Sequence, residues 1–225
     1  ARGLGEPAPL VMLAHGYTSN RFSEVAGFGG YLATQGLATI GIDCPSHGLS
    51  ISPDEEETAR ILLDGFGLLP FAEAALTDRA FDQNGDGRPD SGADFWTAYV
   101  FHTRDVVRQC MLDYMQLIRI IDSFDGERVW AHDVNGDGVQ EKAGDFDGDG
   151  YVDIGRDSTL GMLGGSLGGM MSLLVGSVEP KVDAIAPIAG GGALGNIGLR
   201  STQGGVREAV ILRIMGPTLS KEDPA

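Results

Sequence analysis

Leu163-Gly164-Gly165-Ser166-Leu167-Gly168-Gly169 is the stretch whose reading decides the fold of this chain. A short apolar run, Thr159 to Leu163, leads into it, and an apolar helical segment, Leu167 to Val178, leads out. Gly-x-Ser-x-Gly in that setting places a serine hydroxyl on a sharp turn above the carboxyl edge of a sheet. The flanking glycines permit a strained backbone and close approach of neighbours. The next backbone N–H, that of Leu167, opens the helix and is directed at a developing oxyanion. In a chain with 35 glycines the bare motif counts for little. Its strand–turn–helix context is what gives it mechanical meaning, against the plainer alternative of a glycine-rich turn with a structural serine.

Working outward, residues 9–15 read as a buried strand and Phe22 to Gln35 as a helix with apolar residues at 22, 25, 28 and 32. Leu37 to Ile42 is a second strand, which ends at Asp43-Cys44-Pro45. Strand, helix and strand in so few residues predict a βαβ unit of a parallel sheet. The spacing predicts a long helix over 104–122, with Val107, Cys110/Met111, Tyr114, Leu117/Ile118 and Ile121 on one stripe. Val182 to Ala189 reads as a further buried strand, whereas the periodicity of Val206 to Met215 does not choose between strand and helix. Two segments interrupt this alternation. Residues 46–102 hold an acidic stretch (Asp54 to Glu57), an apolar segment (Ile61 to Leu76) and an Asp/Gly loop, and 125–157 hold more Asp/Gly sequence. Both are too long for simple connections and read as insertions. The apolar part of the first fits either a lid over an acyl site or a helix covering the sheet.

Three motifs in order resemble the α/β-hydrolase family: His15-Gly16-Tyr17 after the first strand, Asp43-Cys44-Pro45-Ser46-His47-Gly48-Leu49-Ser50 after the second, and the elbow at Ser166. The second departs from the family's D-x-x-G-H-G-x-S pattern by a serine in place of the glycine before the histidine. The resemblance implies a single hydrolase domain fragment over 1–225 with a partial parallel-sheet α/β core. It implies Ser166 as nucleophile and the N–H groups of Tyr17 and Leu167 as the oxyanion hole. In this fold the chain order is nucleophile, acid, histidine. The four histidines, His15, His47, His102 and His132, all precede Ser166, and Asp183 begins a strand at the wrong end for a triad acid. The acid and base are therefore expected beyond Ala225, in a longer parent chain, and the abrupt apolar start agrees. The alternative is a degenerate, non-catalytic member serving as a binding or adhesion module. A serine peptidase of the same fold is a further alternative.

The insertions carry a second chemistry. Asp82-x-Asn84-x-Asp86-Gly87-Arg88-x-Asp90, Asp133-x-Asn135-x-Asp137-Gly138-Val139-x-Glu141 and Asp145-x-Asp147-x-Asp149-Gly150-Tyr151-x-Asp153 share one spacing. Oxygens at positions 1, 3 and 5, glycine at 6 and a backbone carbonyl at 7 are the ligand pattern of an EF-hand-type calcium loop. The carbonyls at position 7 are those of Arg88, Val139 and Tyr151. Acids stand at position 13 rather than 12, namely Asp94, Asp145 and Asp157, so Asp145 both closes the second loop and opens the third. This tandem sharing resembles the calcium loops of thrombospondin type 3 repeats. Solvated flexible acidic loops are the alternative, but carboxylates this dense repel one another without a cation. The expected ion is Ca²⁺ in a structural role, pinning segments too poor in apolar residues to fold alone.

Composition bounds the rest. The net charge of −16 argues against nucleic acid and anionic membranes as partners. Twelve of the 32 carboxylates lie in 82–94 and 133–157, so the charge is local. A hydrophobic content of 42% and a mean hydropathy of −0.02 fit one soluble core, with no run long enough to span a bilayer. Cys44 and Cys110 allow one disulfide or two buried thiols. Extracellular calcium loops bind at about 10⁻⁴ to 10⁻³ M, which predicts a secreted or cell-surface protein. The expected substrate is a small-molecule or lipid carboxylic ester, split by a lipase or carboxylesterase chemistry.

Overall fold

The computed structural model describes residues 6–97, 99–131, 133, 138–202 and 206–215. His132, Asn135 and Asp137 lie outside the described residues. By its internal contacts the chain divides into two compact units. The first comprises Ala1–Gly16, Arg21–Ile42 and Met111–Gly190, and the second Tyr17–Asn20, Asp43–Cys110 and Gly191–Ala225.

The first unit holds a four-stranded, wholly parallel sheet. Its strands are β1 (Leu10–Ala14), β2 (Ala38–Gly41), β3 (Leu160–Gly165) and β4 (Ala184–Ile188), in the order β2-β1-β3-β4. The register sets Met12 beside both Ile40 and Met162, and Ala14 beside Gly164. An α/β class is thus established. Leu10, Met12, Leu13 and Ala14 are buried, as their unbroken apolar run demands of a central parallel strand. The segment between β1 and β2 is helical but not uniform: α1 (Arg21–Glu24), a π-helical turn (Val25–Gly29) and α2 (Gly30–Thr34). Three glycines in that stretch loosen the α-helical ladder, and only Gly29 of it is buried. The predicted apolar stripe is accordingly not a core face: Val25 and Phe28 are exposed.

The helix predicted over 104–122 is α5, Val100–Asp122. Its buried side is Val106, Cys110, Tyr114, Ile118 and Ile121, and the Tyr114 hydroxyl donates to the Leu13 carbonyl at 3.2 Å. α6 (Leu167–Val178) packs on β3 and β4 and buries Leu167, Met171 and Val175. β4 corrects an expectation. Read as a buried strand, it is exposed at all five positions, and among the described strands it pairs with β3 alone. Hydropathy registers an apolar run but not its place in the sheet.

The second unit contains α3 (Pro53–Gly65), α4 (Leu69–Ala75), α7 (Leu194–Arg200) and α8 (Val206–Met215). The acidic stretch Asp54 to Glu57 is the first turn of α3 rather than a separate segment. Ser52 and Glu55 form a reciprocal capping box and Pro53 occupies the first turn, so acids sit where the helix dipole favours them. No residue of α3 is buried, and Ile61, Leu62, Phe66 and Phe71 are exposed. No described helix is long and apolar enough to cross a membrane.

Cys44 and Cys110 form a disulfide with a Cα–Cα distance of 5.0 Å, joining the end of the β2 connection to α5. Closing a loop of 66 residues contributes about 4 kcal/mol through the unfolded chain. Reduction, or the paired Cys44→Ser and Cys110→Ser change, is expected to lower the thermal midpoint by about 10 °C in calorimetry. An unchanged midpoint would mean that the bridge does not constrain the chain.

Candidate functional site

β3 ends at Gly165 and α6 begins at Leu167, so a single residue, Ser166, makes the turn. Its backbone is held at φ 55° and ψ −113°, a strained conformation for a residue with a side chain. Both sides of that residue are tied down. Ser166 N–H donates to the Ile188 carbonyl at 2.9 Å, and its own carbonyl accepts from Met170 N–H at 3.0 Å. The side chain is exposed at the carboxyl end of the sheet.

Glycine makes this geometry possible. A Cβ on Gly168 would collide with the Ala14 carbonyl, and one on Gly164 with the backbone of Gly168. Gly169 lies equally close to the Ile188 carbonyl and Gly190. Helix α6 can therefore start against the strand ends only where no side chains intervene. The first helical N–H groups, Leu167's among them, have no carbonyl one turn back within the helix, which leaves them as donors at the serine.

The His15-Gly16 turn belongs to the same unit and reaches the elbow. A Cβ on Gly16 would lie 3.6 Å from the Gly165 carbonyl and 3.8 Å from Ser166 Cβ, so the turn and Ser166 are in near contact. His15 is fully buried, and its Nδ1–H donates to the Gly16 carbonyl at 2.8 Å. Burial pushes its imidazole below the ordinary value, with Arg21 acting in the same sense, and the Gly16 bond opposes. Burial likewise raises the Glu24 carboxyl, opposed by the Gly16 N–H that it accepts. Gly16 is thus held through both its N–H and its carbonyl, and Glu24 has no motif that marks it in the sequence.

In the second unit Tyr17, His47 and Phe95 form an aromatic cluster. Ring centroids are 6.1 Å apart for Tyr17–His47, 5.5 Å for Tyr17–Phe95 and 6.0 Å for His47–Phe95. His47 Nδ1–H donates to the Pro45 carbonyl at 2.9 Å, the contact of a histidine fixing a turn. His102, in the first turn of α5, lies 3.4 Å from the Asp94 carboxylate. Asp94, expected to close the first aspartate loop, thus faces His102.

The aspartate loops repeat one hydrogen-bond scheme. In the first, the Gly85 and Gly87 N–H groups donate to the two oxygens of Asp82 at 2.7 and 2.9 Å. Asp86 N–H meets Asn84 Oδ1, Arg88 N–H meets Asp86, and Gln83 N–H meets Asp90. In the third, the Gly148 and Gly150 N–H groups donate to Asp145 at 2.7 and 2.8 Å. Asp149 N–H meets Asp147, Tyr151 N–H meets Asp149, and Phe146 N–H meets Asp153. Each closes with the N–H of its ninth residue on the carbonyl before its first, Asp90 to Phe81 and Asp153 to Gly144, both 2.8 Å. Of the second loop, Asp133 accepts from Gly138 N–H, matching Asp82 with Gly87 and Asp145 with Gly150.

Every side-chain donor so arranged is oxygen, and the carbonyls of Arg88 and Tyr151 follow at position 7. Carboxylate oxygens of Asp145, Asp147 and Asp149 lie within 4.8 Å of one another, a group that can hold a metal ion. Asp82 is kept below the usual carboxylate range, first by the Gly87 N–H and then by that of Gly85, so it remains an anion. The Arg88 guanidinium is drawn off to Glu55, 2.9 Å away. Asp157 is exposed, and the Glu141 carbonyl accepts the Trp130 N–H.

A Gly168→Ala change is expected to lower stability by about 3 kcal/mol or more in urea unfolding, since a methyl group would meet an immovable carbonyl. An unchanged midpoint would refute the close approach of α6 to β1. Comparison with protein-family models, curated proteins and solved structures finds no match to this chain, so its chemistry has to be argued from these contacts.

Proposed function

We propose that this chain is the nucleophile-bearing part of a secreted serine hydrolase of the α/β-hydrolase type, acting on carboxylic esters. The observation that carries the proposal is the backbone of Ser166: φ 55°, ψ −113°, between a parallel strand and the helix it opens. Strain of that kind persists only where the surroundings enforce it, and here it holds a hydroxyl outward at the carboxyl edge of the sheet.

In the proposed reaction Ser166 Oγ attacks the ester carbonyl carbon while its proton passes to a general base. The oxyanion is held by the N–H groups of Leu167 and Tyr17. Collapse expels the alcohol, which takes up the proton, and water then releases the acid from the acyl-serine. Gly16 beside Ser166 supports Tyr17's part, because the Tyr17 N–H shares the peptide whose carbonyl His15 binds. The base would be a histidine that follows the nucleophile in the fold's chain order, and none of the four histidines of this sequence follows Ser166. The apolar stretch Ile61 to Leu76 agrees with an ester that carries an apolar acyl chain.

Calcium is proposed for the aspartate loops. An all-oxygen donor set suits a hard cation rather than zinc or copper. Asp145, Asp147, Asp149 and Asp153 with the Tyr151 carbonyl would hold one ion. Asp82, Asn84, Asp86 and Asp90 with the Arg88 carbonyl would hold another, and the second loop would hold a third through Asp133 and its partners. The ion would offset carboxylate repulsion and leave the ester chemistry to the protein. A disulfide together with loops of the weak extracellular type supports a secreted or cell-surface location.

In the complete protein, Ser166→Ala is expected to reduce p-nitrophenyl ester turnover by about 10³-fold or more. Undiminished turnover would sink the hydrolase proposal and favour a calcium-stabilised binding module. Raising calcium from zero, in chelator, to about 10 mM is expected to add roughly 1.4–2.7 kcal/mol per filled site, read as a rise in thermal midpoint. A midpoint indifferent to chelator would contradict the calcium assignment.

A further inference from the structure

Side chains hold two successive peptide planes of the His15-Gly16-Tyr17 turn. The His15–Gly16 peptide gives its N–H to the Glu24 carboxylate. Its carbonyl points the opposite way, as a trans peptide requires, and lies against the first turn of α6: a Cβ on Gly168 would stand 3.0 Å from the His15 oxygen. The next peptide, Gly16–Tyr17, has its carbonyl on His15 Nδ1–H at 2.8 Å. Its N–H, that of Tyr17, is therefore directed away from the imidazole.

Glu24 is half-buried at the last position of α1, and the π-helical turn begins at the next residue. Burial opposes the charged carboxylate, and the Gly16 N–H offsets part of that cost. Glycine at 16 gives the two planes little preference of their own. A Cβ there would meet its neighbours only at 3.6 and 3.8 Å, ordinary contact distances, so packing does not dictate the turn. The bonds to Glu24 and His15 do. His15 belongs to a recognisable motif, whereas Glu24 reaches the turn from the following helix.

We propose that Glu24 is a positioning residue, which through the Gly16 N–H clamps the His15–Gly16 peptide against Gly168 at the start of α6 and so fixes the turn beside Ser166. Without that acceptor the Gly16 N–H loses its partner, and the peptide can rotate about the glycine. The tilt of the following peptide, and with it the direction of the Tyr17 N–H, would then no longer be set. An oxyanion donor that strays by about 1 Å loses much of its effect on the transition state. This consequence for ester turnover rests on the hydrolase proposal above; the hold on the turn does not.

Amide exchange by NMR and ester turnover, both on the complete protein, test this with wild type, Glu24→Gln and Glu24→Ala. The Gly16 N–H is expected to exchange about tenfold or more faster in Glu24→Ala. Glu24→Gln, whose side-chain carbonyl still accepts, should restore slow exchange. The Ser166 N–H, bound to the Ile188 carbonyl, should exchange alike in all three, which separates loss of one bond from general loosening. In turnover, kcat is expected to fall about tenfold in Glu24→Ala with KM little changed, and to recover in Glu24→Gln. Glu24→Asp, one methylene shorter, takes the place of Glu24→Ala should that variant not fold. Equal Gly16 exchange in wild type and Glu24→Ala would overturn the proposal, as would faster exchange at Ser166 as well. Faster Gly16 exchange with kcat unchanged, or no recovery in Glu24→Gln, would also overturn it. If folded wild type shows the exchange pattern but turns over no ester, the hold on the turn stands and the hydrolase proposal fails.

Discussion

The approach of α6 to the end of β1, with no side chain between Gly168 and the Ala14 carbonyl, is the constraint on which the rest depends. A helix starting that close to a strand leaves one residue to turn the chain, and Ser166 takes up the strain. Gly164 and Gly169 make the same concession to their own neighbours. A methyl group at any of these positions would push the helix outward and let the serine relax into an ordinary turn. The strained hydroxyl, the first N–H groups of α6 and the pinned Gly16 peptide are thus consequences of one packing arrangement.

The aspartate loops solve a different problem. Segments rich in aspartate and glycine bury little apolar surface, and their carboxylates repel. Backbone N–H groups already satisfy part of the first carboxylate of each loop, in the same scheme from loop to loop, and in the third the Asp145, Asp147 and Asp149 oxygens come within 4.8 Å of one another. That loop lies between α5 and β3 in the sheet-bearing unit.

Much of the sheet was legible in the sequence because central parallel strands are unbroken apolar runs: β1, β2 and β3 stand where 9–15, 37–42 and 159–163 place them. The elbow was legible because motif, strand and helix coincide at Ser166. The exposure of β4 was not, since hydropathy cannot distinguish an edge from a centre. The start of helix α3 was not legible because its acidic first turn reads as a stretch separate from the apolar segment at Ile61, although Ser52-Pro53-Asp54-Glu55 is itself a capping signal. The Cys44–Cys110 pairing depends on tertiary contact, and spacing alone left it open. Glu24 acts on a backbone group, which leaves no side-chain pattern to find.

Whether Ser166 is an activated nucleophile decides the hydrolase proposal. Treating the complete protein with a fluorophosphonate and mapping the adduct by peptide mass spectrometry addresses that directly. The predicted result is a single phosphonyl adduct on the peptide containing Ser166, absent from Ser166→Ala. Labelling at another serine, or none in a folded protein that is labelled only after unfolding, would contradict it.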